Sequence, residues 1–501
     1  MTMTDKEYFD IAVIGAGFAG SLTALGLNKI GYNVILIEKK SHPRFAIGES
    51  STPIADLILR DLADRYDFSW LRDISRYGSW QQTHPQISCG LKRGFSYYKH
   101  NPGQKFQTDV NHKNELLVAA SSNNERSDTN WYRSEVDAFF VDQVEKQGIA
   151  YRDKTAVVGL QRIGDEWEIE ARQKEKPFRI RCPWLIDATG STDILNKLGV
   201  QFSSKNFRTR SRAIFSHFVD VKSWQDWLHE NGIATSDYPY NPDHSALHHL
   251  LNEGWLWMLR FNNGITSAGL VLNQHKKDEI SDWNDIISRY PSLPALFEKS
   301  TLAKSPGKLI HTKRLQRRAE RITGPGWVAL PHTAGFVDPL HSTGIAHSLS
   351  GVERILYAFE TGKENSEMLS DQLRHYEQSV FNELDFVDLL IDGCFRTMDY
   401  FEFFHIYSTL YFTAAINYEQ KRIRGDFEIG DGFLSADSPF FKKMVEDTYT
   451  NLRSFTNMNY VTKSDIQDFR QAVKKAIASY NIANLLQPDI PNMYYHTSAN
   501  F

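Results

Sequence analysis

The sequence predicts an α/β fold: a parallel-sheet unit interleaved with a second β-sheet, followed by a helical C-terminal region. Three observations predict it. Residues 11–37 read IAVIGAGFAGSLTALGLNKIGYNVILI, two β-branched strands flanking a glycine-rich turn and an apolar helical stretch, which is the pattern of a buried βαβ unit. Two later stretches, WLIDATGS (184–191) and GWVALPHTAGFVDPLHSTGIAHSLSGVERI (326–355), read as a strand ending in a small-residue turn and as strand, loop and long helix. From about residue 360 the pattern turns helical and aromatic, most densely in DFVDLLIDGCFRTMDYFEFFHIYSTLYF (385–412).

Each part of the first element has a physical task. Gly15 permits the tight turn after the strand, Gly17 lets the backbone approach a pyrophosphate, and Gly20 allows close helix–strand packing, with Phe18 and Ala19 between them. The helix that follows offers free N–H groups and a positive dipole end to the phosphates. Glu38 ends the second strand, 18 residues past Gly20, where it can accept both ribose hydroxyls, which argues against a 2′-phosphorylated cofactor. The later elements choose the dinucleotide. An ATG turn, then a loop with Gly335 and Asp338, then a helix entered near Ile345, resemble the elements of the glutathione-reductase/p-hydroxybenzoate-hydroxylase type of FAD-binding Rossmann-like domain. In that fold the aspartate bonds the ribityl chain and the helix aims its N-terminus at the isoalloxazine, so FAD is the expected cofactor. Arg133 opens the helical stretch WYRSEVDAFFVDQVEKQGI (131–149), where a cation can meet the cofactor's phosphate or ribose. No second glycine-rich βαβ fingerprint is present, so electrons are expected from a separate flavin reductase or as free reduced flavin.

Composition bounds the remaining possibilities. The 501 residues suffice for two or three domain-sized units, and 41% hydrophobic with 24% charged content is ordinary for a soluble globular protein. A formal net charge of −4 gives no sign of a nucleic-acid partner. Phe, Tyr and Trp make up 13% of the chain, enough to line an aromatic cavity or to fill large aromatic cores. Three scattered cysteines, Cys89, Cys182 and Cys394, supply neither a disulfide framework nor a metal-ligand spacing. A reducing, cytoplasmic location is expected, with no metal, no membrane partner, and a monomeric or dimeric state. The longest near-apolar run, FHIYSTLYFTAAI (404–416), is too short to span a bilayer.

Along the chain, residues 1–200 and 305–358 are expected to form a discontinuous FAD-binding domain. Residues 85–130 and 201–304 are expected to form the substrate-side sheet region, and 359–501 the helical C-terminal region. Within these, the polar, Asn- and Ser-rich stretch 100–130 reads as a long excursion loop.

Four stretches together resemble the flavin-dependent halogenases, specifically the branch acting on phenolic substrates. They are GAGFAG (15–20), HPRFAIGESSTP (42–53), SCGLKRGFSYY (88–98) and GFVDPLHSTGIAHS (335–348). The resemblance implies that Lys39, Arg44 and Ser50 join the cofactor-binding set, that halide sits near the backbone of Thr343 and Gly344, and that Lys92 is the catalytic lysine. It implies a reaction in which FADH2 and O2 form a C4a-hydroperoxyflavin that oxidises halide. The hypohalous acid then travels to the lysine, and an electron-rich aromatic small molecule is chlorinated or brominated. A monooxygenase or dehydrogenase of the same fold, without halide chemistry, is the alternative, and Lys92 separates the two because a hydroxylase has no use for it. Trp255 and Trp257, in GWLWMLRF (254–261), match the family's tryptophan motif walling flavin from substrate, although Leu259 and Arg260 stand where the family commonly has Ile-Pro. Pro339 and His341 fall on the same substrate tunnel. Tryptophan halogenases carry a glutamate at the position of His341, so a phenol, activated by its own hydroxyl, is the expected substrate. His341 is either a base toward that phenol or a plain loop histidine.

Lys92 lies in a stretch with strand character. An unbroken strand places Gly90, Lys92, Gly94, Ser96 and Tyr98 on one face and Cys89, Leu91, Arg93, Phe95 and Tyr97 on the other. On that pattern the glycines beside Lys92 leave room for a small oxidant and a ring.

Overall fold

The computed structural model describes residues 6–174, 176–276, 282–456 and 461–497. Its nucleus is the predicted βαβ unit. The fully buried strand Ile11–Ile14 pairs in parallel with Val34–Ile37 on one side and Trp184–Asp187 on the other. Trp327–Ala329 and Ala150–Arg152 extend this sheet in parallel, and the short Thr323–Gly324 closes one edge antiparallel. Helix Phe18–Ile30 follows the glycine turn, and helix Arg133–Lys146 buries Val136, Phe140 and Val144 of the face its periodicity predicts, while Phe139, expected on the same face, is half-buried. Residues 155–182 form an antiparallel meander, Thr155–Ile163, Glu166–Gln173 and Lys176–Cys182, whose last strand pairs with Lys6–Tyr8.

The second sheet has nine strands. Its order runs Thr301–Leu302, Ser211–Val219, Ile265–Asn273, Gly254–Arg260, Ala246–Leu250, Gly94–Lys99, Glu115–Ala119 and Met493–Tyr494, with Ile310–His311 also on Ser211–Val219. One face, carrying Phe95, Tyr97, Phe215, Trp255 and Trp257, joins the main core. The other, with Tyr98, Ile214, Leu256 and Met258, packs a separate core around Trp224, Trp227 and Trp283. Helices Ser366–Thr397 and Phe401–Arg424 pack on the main core, and the latter is buried along most of its length, which explains the near-apolar run at 404–416. No helix among the described residues is long and apolar enough to cross a membrane, and the three cysteines are buried free thiols.

Three expectations need correction. The stretch 100–130 is not one excursion loop: it contains Glu115–Ala119, a fully buried strand of the large sheet, and begins a strand at Asp128. The C-terminal region is not helical to its end, because Met493–Tyr494 returns to pair with Leu117 and Val118. Finally, the Lys92 stretch is two strands rather than one. Cys89–Lys92 pairs with Asp128–Trp131 in a two-stranded ribbon, while Gly94–Lys99 belongs to the nine-stranded sheet. The chain breaks at Arg93, whose N–H donates to the His244 carbonyl at 2.7 Å, so the alternation of faces does not run through.

Candidate active site

At the glycine turn, Gly15 has φ +105°, and a Cβ on Gly20 would lie 1.9 Å from the Gly15 carbonyl oxygen. Only glycine fits there. Glu38, buried at the end of its strand, accepts from Ala16 N at 3.0 Å, Lys40 N at 2.9 Å and the Arg44 guanidinium at 3.1 Å. Lys39 beside it is exposed. Arg133 stands over the Phe18 ring at 4.7 Å and donates to the Ile47 and Gly48 carbonyls. Its Nε and Nη2 grip Asp137 at 2.8 and 3.0 Å. Asp137, wholly buried, also accepts from Phe18 N at 3.2 Å and lies 3.6 Å from Arg44. Two guanidiniums thus converge on Gly17, where a phosphate needs positive charge.

The adjoining loop carries orphaned polar atoms. Glu49 Oε2, Ser50 Oγ, Thr52 Oγ1 and His217 Nδ1 are buried without a hydrogen-bond partner among the described residues, although Glu49 Oε1 and His217 Nε2 meet at 2.7 Å. Unpaired buried groups are costly, and a polar ligand on this loop would satisfy them. The residues present therefore fit a dinucleotide lying from Glu38 past Arg133 to this loop.

Asp338 is buried, and its carboxylate accepts from Ser211 Oγ at 2.7 Å and Leu340 N at 3.2 Å; burial pushes it up to about 7. Gly335 is packed against Leu384 and the Arg317 carbonyl. Both residues tie the loop to its neighbours. Past the half-buried Pro339 the chain enters helix Thr343–Thr361 through Ser342, at φ 54°. No side chain caps this helix and no acid sits in its first turn, so the N–H groups at half-buried Thr343 and Gly344 face outward with the positive end of the dipole, while Ile345 is buried.

Lys92 is 0% exposed. Its Nζ donates to the Ser51 carbonyl at 2.5 Å and stands 4.2 Å above the Phe95 ring. Burial lowers its pKa to about 8, against the opposing pull of Asp128 and Asp56. Phe95 is the start of an aromatic cluster: Tyr411 (6.1 Å), Phe412 (5.7 Å) and His248 (6.1 Å) surround it. Tyr411 in turn stacks parallel on His341 at 4.2 Å, and His248 contacts Trp255 at 5.1 Å. Burial depresses both His341 and His248 to about 3, so both rings are uncharged. Rings therefore run without a gap from the helix entry at 341–344 to Lys92. Trp257 lies farther along the same sheet face, donating to Ser267 Oγ at 3.2 Å. Arg260 points away from this wall: its guanidinium is held by Asp243 (2.6 Å) and the Val221 carbonyl (3.0 Å).

The glycines flanking Lys92 do not leave the open space expected of them. A Cβ on Gly90 would lie 1.8 Å from the Arg260 carbonyl oxygen, and one on Gly94 2.0 Å from that of Val118. Close backbone approach fills both positions, and Lys92's neighbour is Phe95, which simple alternation puts on the opposite face. Gly90→Ala is accordingly expected to cost about 1–3 kcal/mol of stability and to displace Lys92. Thermal melting and product formation should fall together; an unaltered melting temperature would show that the ribbon yields.

Residues 10–131 match the FAD dependent oxidoreductase family, and residues 133–397, over half of the chain, match the tryptophan halogenase family. The chain belongs to the tryptophan halogenase family. This halogenase is 26% identical over 472 residues to monodechloroaminopyrrolnitrin halogenase PrnC of Pseudomonas fluorescens, covering 88% of this chain and 80% of that one. To tetracycline 7-halogenase of Kitasatospora aureofaciens it is 23% identical over 424 residues, 82% of this chain and 74% of the relative. Its fold matches the crystal structure of halogenase PltM in complex with phloroglucinol and FAD, with a TM-score of 0.84 at 22% identity, over 95% of this chain and 98% of the other. It is a flavin-dependent halogenase that uses FAD, with halide and O2 as cosubstrates.

Several residues of the halogenase's site escape sequence reading. Asp137 stands four residues after Arg133 on one helix face, a spacing that signals the pair. Asp56, an acid within the apolar helix stretch PIADLILR, carries a weaker signal. Asp128, His217 and His248 have none, since each meets its partners only through pairing between distant strands.

Proposed function

We propose that this halogenase acts on a phenolic or similarly electron-rich aromatic small molecule, with Lys92 as the catalytic residue that presents oxidised halogen to the ring. The observation that carries the reading is the fully buried Lys92 amine at one end of an unbroken aromatic cluster, with an uncapped helix N-terminus at the other. FAD, when bound and reduced by a separate reductase, supplies the activation of O2 that oxidises halide. Gly15, Gly17, Phe18, Ala19, Gly20, Glu38, Arg44, Ser50 and Arg133 would hold it. The N–H groups at Thr343 and Gly344 would hold the halide, a reading supported by the uncapped helix start, since a halide needs donors and positive potential. Trp255, Trp257, His341 and Pro339 border the path from there to Lys92.

A phenol fits this site because its hydroxyl activates its own ring. The uncharged His341 can hydrogen-bond such a hydroxyl but, held near 3, is too weak a base to ionise it. The relative crystallised with phloroglucinol, itself a phenol, supports the same choice. Turnover with reduced FAD, O2 and bromide against phenols and tryptophan tests it. Brominated phenols with unmodified tryptophan are expected. Preferential bromination of tryptophan would overturn the substrate reading, and products that gain only oxygen would overturn halogen transfer.

A further inference from the structure

The surroundings of Lys92 hold a second feature. Asp128 is its direct partner across the two-stranded ribbon, and Asp56 lies in the first turn of helix Pro53–Tyr66, which starts just after the Ser51 carbonyl that accepts from Lys92. Lys92, Asp128 and Asp56 are 0%, 1% and 5% exposed. Asp128 Oδ2 is buried with no hydrogen-bond partner among the described residues. Two carboxyls and one amine from three separate segments are thus buried in one region, out of reach of bulk solvent. Such a cluster costs folding energy, and a purely structural core would be better served by apolar side chains of the same size.

We propose that Asp128 and Asp56 form a single-charge counterion that positions Lys92 and keeps its amine protonated in the dry interior. The inference rests on the reading of Lys92 as the residue that holds oxidised halogen. Buried carboxyls side by side cannot both ionise: burial first, then the neighbouring charge, raises Asp56 well above its ordinary value, and burial pushes Asp128 up to about 7 even against the pull of Lys92. The pair therefore holds at most a single negative charge. That charge offsets part of the desolvation that drives Lys92 toward the neutral amine. The other groups facing the cluster do not supply it. Arg76 and Arg60 lie on the carboxyl side and are cationic, and His248 and Tyr411 on the aromatic side are uncharged. The ammonium so maintained donates to hypohalous acid and polarises its O–halogen bond; transfer of the halogen to the ring then releases hydroxide, which takes up the arenium proton to give water.

The test is the titration of Lys92 itself in Asp56→Asn/Asp128→Asn, followed by NMR of its side-chain Cε and Nζ resonances against pH, with no flavin or substrate present. Loss of the carboxylate charge is expected to lower the pH at which Lys92 becomes neutral by about 1–3 units, and to shift the alkaline limb of halogenation by the same amount while flavin oxidation is unchanged. If the double variant does not fold, Asp128→Asn alone should shift in the same direction by less, and Asp128→Glu should restore the wild-type profile. A Lys92 titration identical to wild type in whichever variant folds overturns the proposal. Lys92→Ala separates the two levels: if it retains full product formation, the reading of Lys92 fails; if it loses product while the carboxyl variants leave the titration unmoved, only the counterion fails.

Discussion

Lys92→Ala is expected to abolish halogenated product while leaving the oxidation of reduced FAD at its wild-type rate. The residues fitted to hold FAD, Glu38, Arg44, Arg133 and the loop at 48–52, are hydrogen-bonded among themselves, and Lys92 hydrogen-bonds to this set through the Ser51 carbonyl. Removing the amine therefore spares cofactor reduction and O2 consumption but removes the group that delivers halogen. Loss of a positioned proton-donating side chain typically costs about 10²–10⁴-fold in rate, and product should fall by at least that much. Truncation also opens a hole over the Phe95 ring and strips the counter-charge from Asp128 and Asp56. Lys92→Met keeps most of the volume and removes only the amine, so it should show the same uncoupling. Product and flavin oxidation are measured on the same samples. Halogenation at the wild-type rate in both variants would show that Lys92 is a core residue. Free hypohalous acid should escape from the variants, and a scavenger reacting with it in solution would report the missing capture.

The parts of this architecture that depend on neighbours along the chain are legible in the sequence. Turn, helix and flanking strands between Ile11 and Ile37 follow from local pattern, because the positive φ at Gly15 and the contact of Gly20 with the Gly15 carbonyl arise within the unit, although both glycines also abut Ala188 of a distant strand end. The periodicity of the helix carrying Arg133 puts Val136, Phe139, Phe140 and Val144 on one face, and the fold buries all of these but Phe139, which is half-buried. Lys92 stands out by family resemblance, but simple alternation gives it the wrong neighbours, for a physical reason. Whether a strand continues through Arg93 is decided by what its N–H bonds to, and the acceptor is His244, some 150 residues away. Likewise Gly90 is glycine because the Arg260 carbonyl comes within reach, a contact with no trace in the local sequence. The same limit hides Asp128: a polar stretch reads as loop until a partner strand, here Cys89–Lys92, is known to pair with it. Arg260, a departure from the family motif, is held on the far side of the aromatic wall by Asp243 and the Val221 carbonyl.

Asp137→Ala is expected to weaken FAD binding and lower stability together. The side chain is wholly buried, accepts from two nitrogens of Arg133 and from Phe18 N, and pairs with the Arg44 charge at 3.6 Å. Without it, Arg133, itself largely buried beneath the glycine turn, keeps only the Ile47 and Gly48 carbonyls and loses its counter-charge. Breaking a buried pair by removing one partner costs about 3–5 kcal/mol, because the remaining charge is left uncompensated. The apoprotein should therefore melt well below wild type. Both guanidiniums also lose the anchor that aims them at Gly17, so the phosphates of FAD meet a less ordered site. A ligand stabilises the folded state according to its affinity, and a given FAD concentration should therefore raise the variant's melting temperature less than that of wild type. Thermal melts with and without FAD, combined with a flavin-fluorescence titration, separate the two effects. Asp137→Asn, which keeps acceptor and shape but not charge, should fall between the variant and wild type. A variant that melts and binds like wild type would mean that Arg133 finds its counter-charge elsewhere, and that the Arg133–Asp137 pair does not order the phosphate end of the site.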